Sequence, residues 1–125
     1  MARLVTSRSV LAVRNLERST EYYTKVLGFE REGIDGGGSW SFLKRDGVRL
    51  MLGECPDEKP ASEIGNHSYV LYLYVEEIDR LHQELAERGA QIPSPPSDMP
   101  WGLREFSVRT PDGHRIHFGE PLTER

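Results

Sequence analysis

DGVRLMLGE at residues 46–54 and DGHRIHFGE at residues 112–120 are two copies of one pattern. Asp, Gly, Arg, Gly and Glu recur at the same places in both copies, at a constant offset of 66 residues. An Asp-Gly pair favours a turn, and the alternation of apolar and polar residues that follows is typical of a strand. We therefore interpret the chain as two copies of one module, each of which ends in a turn and a strand.

Side chains alternate between the two faces of each repeated strand. The apolar members are expected to face a core, and they are Leu50, Leu52, Ile116 and Phe118. The opposite face then carries Arg49 and Met51 in the first copy and Arg115 and His117 in the second. Met51 and His117 are thus matching positions on the faces that lie away from the core.

The segments around the repeat complete the order βαβββ twice. In the first copy we predict strands at 9–13, 29–34, 39–44 and 48–53, and a helix from Leu16 to Leu27 that is capped by Asn15 and ended by Gly28. In the second we predict strands at 68–75, 90–92, 103–109 and 114–119, a helix that begins at Glu76 and Glu77 and ends at Gly89, and an irregular proline-rich loop at 93–100. We predict a single domain over residues 1–125, with modules at 8–53 and 68–120 and a polar linker at 54–67.

Composition excludes several classes of function. The net charge of −4 comes with no basic stripe, so a nucleic-acid partner is not expected. No apolar run is long enough to span a membrane, and the first ten residues do not resemble a signal peptide. Cys55 is the only cysteine, which rules out an internal disulfide and favours a reducing, cytoplasmic location. We interpret the repeated Asp-Gly and Gly-Glu pairs as turns and strand ends, not as paired catalytic carboxylates.

Two stretches resemble the vicinal oxygen chelate superfamily, which includes glyoxalase I, extradiol dioxygenases and bleomycin resistance proteins. They are VLAVRNLERSTEYYTKVLGFE at residues 10–30 and MPWGLREFSVRTPDGHRIHFGEP at residues 99–121. The second stretch, with its Pro-Trp-Gly and Arg-Glu-Phe segments, is most similar to the bleomycin resistance branch. The resemblance covers about residues 8–121. It implies an α+β fold in which two tandem βαβββ modules form a curved mixed sheet around a cleft.

Enzymes of this superfamily hold a divalent metal with side chains from four strands. The corresponding positions here are Arg8, Met51, Val70 and His117. A guanidinium cannot release a proton to bind a cation, valine has no donor atom, and methionine sulfur suits copper(I) better than harder metals. His117 alone does not make a site. We therefore expect neither a metal centre nor another cofactor.

The bleomycin resistance proteins are homodimers that sequester a planar aromatic drug in grooves at the subunit interface. Trp101 matches an aromatic position of that kind, and Trp40 lies near another, although Trp40 is equally well explained as a packing residue. Tyr72 and Tyr74 alternate onto the predicted cleft side of their strand.

The same cleft side is expected to carry Arg8, Arg49, Arg115 and His117. These arginines depart from the acidic groove of the drug-binding proteins. They favour a ligand with a carboxylate or phosphate group, unless they are strand-end residues in solvent.

Together these observations predict a homodimeric, metal-independent protein that binds a small aromatic molecule, and the arginines favour one with an acidic group. Two alternatives stay open: a metal-dependent lyase, isomerase or dioxygenase, and a metal-free enzyme that uses His117 as an acid or base. Met51 and His117 are candidate ligand contacts in the first interpretation, and His117 is the only candidate catalytic residue.

Overall fold

A computed structural model describes residues 1–63 and 69–122, apart from the side chains of Ser62, Tyr69 and Val70. The chain divides into two compact units, Met1–Glu58 and Lys59–Arg125. Each unit has the predicted order βαβββ. The end of the predicted linker and Ser68, where we placed the start of a strand, lie outside the described residues.

The first unit is a mixed sheet with one helical segment. Its elements are β1 (Ser9–Val13), α1 (Leu16–Glu21), a π-helical turn (Tyr22–Val26), β2 (Glu30–Arg31), β3 (Trp40–Arg45) and β4 (Val48–Glu54). The strand order is β1-β4-β3-β2. The first strand runs parallel to β4 and the other neighbours are antiparallel. The repeated turn-strand pattern therefore builds the central hairpin of the sheet.

The second unit repeats this arrangement. Its elements are a short 3-10 helix (Ala61–Glu63), β5 (Tyr69–Tyr74), α2 (Ile78–Glu87), β6 (Ser97–Asp98), β7 (Leu103–Arg109) and β8 (Arg115–Pro121). The strand order is β5-β8-β7-β6, with β5 parallel to β8. Both copies of the repeat thus become the strand that joins the parallel edge to the antiparallel hairpin.

The helix of each unit covers one face of its own sheet. The alternation predicted from the repeat is correct, because Leu50, Leu52, Ile116 and Phe118 are all buried. Tyr23 and Leu27 complete the core of the first unit, and Ile78 and Leu85 that of the second. We call the opposite side of each sheet its outer face.

The repeated glutamates have an architectural role that explains their recurrence. Glu54 accepts a hydrogen bond from the backbone N–H of Leu16 at 2.9 Å. Glu120 accepts from the N–H groups of Glu77 and Ile78 at 3.0 and 3.1 Å. In each unit the last strand therefore caps the first turn of the helix, where unpaired N–H groups favour a negative charge.

The first helix differs from the continuous α-helix that we predicted over Leu16–Leu27. It is α-helical only to Glu21 and then widens into the π-helical turn. The Thr24 hydroxyl donates to the carbonyl oxygens of Thr20 and Glu21 at 2.9 and 3.2 Å. Such competition for main-chain acceptors loosens a helix and provides a local reason for the wider turn.

Other boundaries also need correction. The second helix begins at Ile78, not at Glu76, because Glu77 has a left-handed backbone with φ of 59°. The strand predicted at 90–92 is a single bridge between Gln91 and Arg109. The loop predicted at 93–100 contains β6, whose Asp98 accepts a hydrogen bond from Arg104 at 2.9 Å. The strand predicted at 29–34 is reduced to the two residues of β2.

Candidate ligand-binding faces

The outer face of the second sheet carries most of the predicted aromatic residues. We call it the aromatic face, and it consists of Tyr72 and Tyr74 on β5, Glu105 on β7, Arg115 and His117 on β8, and Trp101 in the turn before β7. Because side chains alternate, Glu105 lies on this face while its neighbour Phe106 is buried in the core. The three strands thus bring residues far apart in sequence onto one surface.

Glu105 holds two of the aromatic side chains. The residue is 8% exposed, and its carboxylate accepts hydrogen bonds on one oxygen, Oε2, from the Tyr72 hydroxyl at 2.6 Å and the Trp101 indole N–H at 2.9 Å. Bonds to an ionised acceptor are stronger than neutral ones. Glu105 therefore fixes the position of two rings that both remain partly exposed.

The exposure of these rings is unusual for large apolar side chains. Trp101 is 63% exposed, Tyr74 is 73% exposed and Tyr72 is 38% exposed. The Tyr72 ring meets the Tyr74 ring edge to face at 5.3 Å and stacks on the His117 imidazole at 6.4 Å between ring centroids. Tyr74, Tyr72 and His117 thus form a connected set of rings, and Trp101 is joined to it through Glu105.

The turn before β7 places Trp101 where Glu105 can reach it. Gly102 has φ of 89°, a left-handed conformation that glycine adopts without strain. The Gly102 N–H donates to the carbonyl of Met99 at 3.0 Å, and the Met99 N–H donates to the carbonyl of Leu103 at 2.8 Å. The Trp-Gly pair is therefore explained by geometry, because the glycine allows the tight turn that places the Trp101 indole within reach of Glu105.

Gly119 lies directly beneath the Tyr72 side chain, and we call it the floor glycine because the ring leaves no space for a side chain there. A Cβ atom at Gly119 would lie 1.9 Å from the Tyr72 hydroxyl oxygen and 2.6 Å from Cζ. The equivalent glycine of the first copy, Gly53, lies under Trp40, and a Cβ there would be 2.7 Å from the indole ring. Trp40 is 40% exposed, so it both packs on Gly53 and presents a ring to solvent.

Two ionisable side chains of the aromatic face are held in their neutral forms. Burial lowers the pKa of His117, an effect that the charge of Glu105 opposes and that of Arg115 reinforces. The pKa of Tyr72 is raised mainly by burial and, to a smaller extent, by the hydrogen bond to Glu105. At neutral pH the charges on this face are therefore the carboxylate of Glu105 and the guanidinium of Arg115.

The outer face of the first sheet has a different character. Arg8 donates to Glu32 Oε1 at 2.5 Å and to the Leu50 carbonyl at 2.9 Å, and it lies 5.3 Å from the centre of the Phe42 ring. Arg49 donates to the other oxygen of Glu32 at 3.1 Å. The hydrogen bond from Arg8 lowers the pKa of Glu32. Two predicted anion-binding arginines are thus already paired with one carboxylate.

Met51 lies on this same outer face, half-buried and paired in register with Phe42 on β3 and Val10 on β1. We call the set of Arg8, Glu32, Phe42, Arg49 and Met51 the arginine face. Because Arg8 and Arg49 both donate to Glu32, a ligand would meet this ion-paired cluster beside the apolar surface of Phe42 and Met51.

The residues at the family's metal positions do not fit a divalent metal. The Arg8 guanidinium carries no free electron pair, and it is bonded to Glu32. Val70 has no donor atom, and the thioether of Met51 is a soft ligand. Within residues 1–63 and 69–122, no three His, Cys, Asp or Glu side chains are grouped so that they could hold a metal ion.

Two carboxylates that organise these faces, Glu32 and Glu105, were not predicted from the sequence. Glu105 was visible only as the middle of the Arg-Glu-Phe segment, and its outward direction follows from the buried Phe106 beside it. Glu32 lies in a segment that we predicted as a strand without assigning it a role. For Glu105, alternation from a buried neighbour was the available signal, whereas Glu32 is flanked by the exposed Arg31 and Gly33; the partners of both carboxylates come from distant parts of the chain.

The chain belongs to the Glyoxalase/Bleomycin resistance protein/Dioxygenase superfamily, whose model matches residues 5–118. Among curated proteins, the uncharacterised protein YraH of Bacillus subtilis is 24% identical over 123 residues, which cover 90% of this chain and 94% of YraH. The resemblance inferred from the helix and Trp-Gly segments is thereby confirmed at the level of the superfamily.

Solved structures confirm the fold. TioX from Micromonospora sp. ML1 superimposes with a TM-score of 0.73 and 26% identity, covering 93% of this chain and 99% of TioX. The bleomycin-binding protein of Streptomyces verticillus, solved with copper(II)-bleomycin, has a TM-score of 0.73 and 23% identity, covering 94% and 97% of the two chains. A superfamily member from Nocardioides has a TM-score of 0.74 and 24% identity, covering 100% and 88%. No helix in the described part of the chain is both long and apolar enough to cross a membrane.

Proposed function

We propose that this protein binds a planar aromatic small molecule without a metal, as a sequestering protein of the bleomycin-resistance type. The observation that carries the proposal is the aromatic face, where a buried carboxylate holds the rings of Tyr72 and Trp101 while Trp101 remains 63% exposed. Large exposed apolar surfaces on a small domain mark binding sites more often than chance.

The chemistry of the rings supports an aromatic ligand. Flat side chains lose little conformational freedom when they bind a flat partner, and each aromatic pair contributes about 0.5–1.5 kcal/mol beyond area burial. Trp101 and Tyr72 are held by hydrogen bonds before any ligand arrives. This preorganisation removes part of the entropic cost of binding.

We also propose that the ligand carries an acidic group, and the structure reduces the number of arginines that could bind it. Arg8 and Arg49 are paired with Glu32, so a ligand must compete with that carboxylate for them. Arg115 lies on the aromatic face itself, and its charge acts on His117. Because a ligand stacked on the rings of this face would lie on the same surface as Arg115, we propose Arg115 as the first contact for a ligand carboxylate.

Homodimerisation is also proposed, from the family resemblance. The edge strand β1 is consistent with it, because Val10 is exposed there and β1 pairs with β4 alone in its sheet. Leu4 and Val5 just before this strand are exposed as well. Sedimentation analysis of the full chain tests the proposal directly, since a monomer at micromolar concentration would contradict it.

The binding proposal is tested by calorimetric titration of planar aromatic antibiotics into the protein, because the heat of binding can be measured with or without Trp101. We expect saturable binding, and we expect Trp101→Ala to weaken binding about two- to tenfold, the loss of one aromatic pair. His82→Ala is the matched control, because His82 contacts Phe106 at 5.2 Å from the helix-covered side of the same sheet. Equal affinities for the wild type and Trp101→Ala would contradict the proposal.

A second candidate function is metal-free catalysis by His117. The lowered pKa of His117 leaves a neutral imidazole at neutral pH, which is able to accept a proton. The test is His117→Ala: turnover of a candidate substrate that is lost while binding is retained would support catalysis. Binding without turnover of any candidate leaves the sequestering function in place.

A further inference from the structure

We infer that Glu105 selects among planar ligands, and that it favours a ring system with N–H donors at its edge. This inference rests on the proposed function, since it concerns the ligand of the aromatic face. It starts from the fact that both hydrogen bonds made by Tyr72 and Trp101 end on the same oxygen, Oε2.

The Glu105 carboxylate retains acceptor capacity after these bonds are made. An ionised carboxylate offers about four acceptor positions over its two oxygens, and two neutral donors occupy two of them. Neither a tyrosine hydroxyl nor an indole N–H cancels the negative charge. A further donor that comes from a ligand would therefore be favoured electrostatically.

The cation next to Glu105 in sequence is directed away from it. Arg104 precedes Glu105 in sequence but points to the helix side, where it is bonded to Asp79 and Asp98 at 2.9 Å. His117 lies on the same face as Glu105, and burial favours its neutral form. The negative charge of Glu105 thus stands beside the rings of Tyr72 and Trp101 with only 8% of the residue exposed.

Because Glu105 is buried, its charge can discriminate between ligands with and without hydrogen-bond donors. A carboxylate shielded from water interacts more strongly with a nearby donor than an exposed one does, and it penalises a ligand that covers it without offering a donor. A flat ring stacked on Trp101 or Tyr72 would cover Glu105 further. A plain hydrocarbon edge placed there leaves the acceptor unsatisfied, whereas an amino or ring N–H group satisfies it.

The opposite end of the aromatic face carries the opposite charge. Glu105 is paired in register with Gly119 and Arg109 is paired with Arg115, so the two ends are separated by four residues along β8. At a rise of roughly 3.3 Å per residue, this is on the order of 13 Å. A ligand with a donor at one end and an acidic group at the other would bind in a single orientation.

Three dyes with the same fused-ring skeleton separate the contributions of stacking, charge and hydrogen bonding. Proflavine is cationic at neutral pH and has N–H donors, N-methylacridinium is cationic without them, and acridine is neutral without them. Calorimetric titration of the full-length protein gives a dissociation constant for each dye. We expect proflavine to bind about tenfold more tightly than either of the others.

Glu105→Gln tests the assignment to this residue. Glutamine keeps an oxygen for Tyr72 and Trp101 but removes the charge, so we expect the ratio of proflavine to acridine affinity to fall about tenfold. Glu76→Gln is the matched control, because Glu76 is exposed and lies outside the aromatic face. The same loss of charge there should leave the ratio unchanged.

The outcomes distinguish the inference from the proposed function. Equal wild-type affinity for proflavine and N-methylacridinium, or an unchanged ratio in Glu105→Gln, would overturn the role of Glu105 while leaving aromatic binding intact. Binding of none of the three dyes would overturn both. If Glu105→Gln does not fold, Tyr72→Phe replaces it: removing the hydroxyl frees an acceptor position on Glu105, and the ratio should rise, whereas an unchanged ratio refutes the inference.

Discussion

Gly119→Ala is the substitution whose effect is most directly worked from the structure. The new Cβ would lie 1.9 Å from the Tyr72 hydroxyl oxygen, 2.6 Å from Cζ and 2.9 Å from Cε1. Ordinary van der Waals contacts need roughly 3.5 Å, so the end of the Tyr72 ring must move by more than about 1 Å. A shift of that size breaks the 2.6 Å hydrogen bond to Glu105.

A hydrogen bond to a charged acceptor contributes about 1.5–3 kcal/mol, and partial exposure of Tyr72 places the expected loss near the lower end. We therefore expect Gly119→Ala to lower the free energy of unfolding by about 1–2 kcal/mol and the melting temperature by several degrees. Urea unfolding followed by fluorescence measures the first quantity. Gly33→Ala is the control, because a Cβ at Gly33 would meet nothing within 4 Å.

A double-mutant cycle makes the test specific. In a Tyr72→Ala background the obstructing ring is absent, so Gly119→Ala should cost almost nothing. The two substitutions should thus be strongly non-additive, as expected for residues in direct contact. Full additivity, or a Gly119→Ala protein as stable as the wild type, would refute the claim that Gly119 is the floor for Tyr72.

Three further predictions concern metals, anions and acid. Chelator-stripped protein should show no saturable thermal shift with nickel, zinc, manganese or iron(II), because bound metal at 100 times its dissociation constant would add about 2.7 kcal/mol of stability; a saturable rise with one metal would restore the metal-dependent alternative. Arg115→Ala should weaken binding of anthracene carboxylate in a calorimetric titration, and Arg49→Ala should do so less because Glu32 already engages Arg49; unchanged affinity in both variants would contradict an anionic ligand. Burial lowers the pKa of His114 despite the nearby charge of Asp112, so the unfolded chain binds more protons and stability should fall as the pH drops below about 6.5. His114→Gln should flatten this slope in urea unfolding, and an equal slope in both proteins would contradict the assignment.

The fold could be predicted from the repeat because the repeat encodes local preferences. Asp-Gly turns, alternating strands and buried Leu50 and Ile116 all follow from residues close together in sequence. Element ends were less predictable, because they depend on distant partners. The second helix begins at Ile78 since Glu120, more than forty residues away, accepts its first N–H groups.

The candidate site was only half predictable for the same reason. Ring-bearing residues such as Trp101 and Tyr74 are visible in the sequence, and the exposure of Tyr74 follows from alternation along β5. The hydrogen bonds that orient them are not, because Tyr72, Trp101 and Glu105 meet only when β5 and β7 lie on either side of β8. The pairing of Arg8 and Arg49 with Glu32 was invisible for the same reason and changes the expected charge of that face.

Comparison of the two copies of the repeat separates architecture from function. The residues that match between them include the capping glutamates Glu54 and Glu120 and the floor glycines Gly53 and Gly119, all with structural roles. The copies differ at positions on the outer faces, where the first copy has Met51 and the second has His117 at the equivalent position. They also differ in the ring that lies over the glycine, which is Trp40 in the first unit and, in the second, Tyr72 bonded to a buried carboxylate. Because the ring over Gly119 is coupled to a charge, we expect ligand discrimination to be concentrated on the second sheet. Substitutions at Trp40 should then change affinity for all planar dyes alike, whereas those at Glu105 should change the order of preference among them.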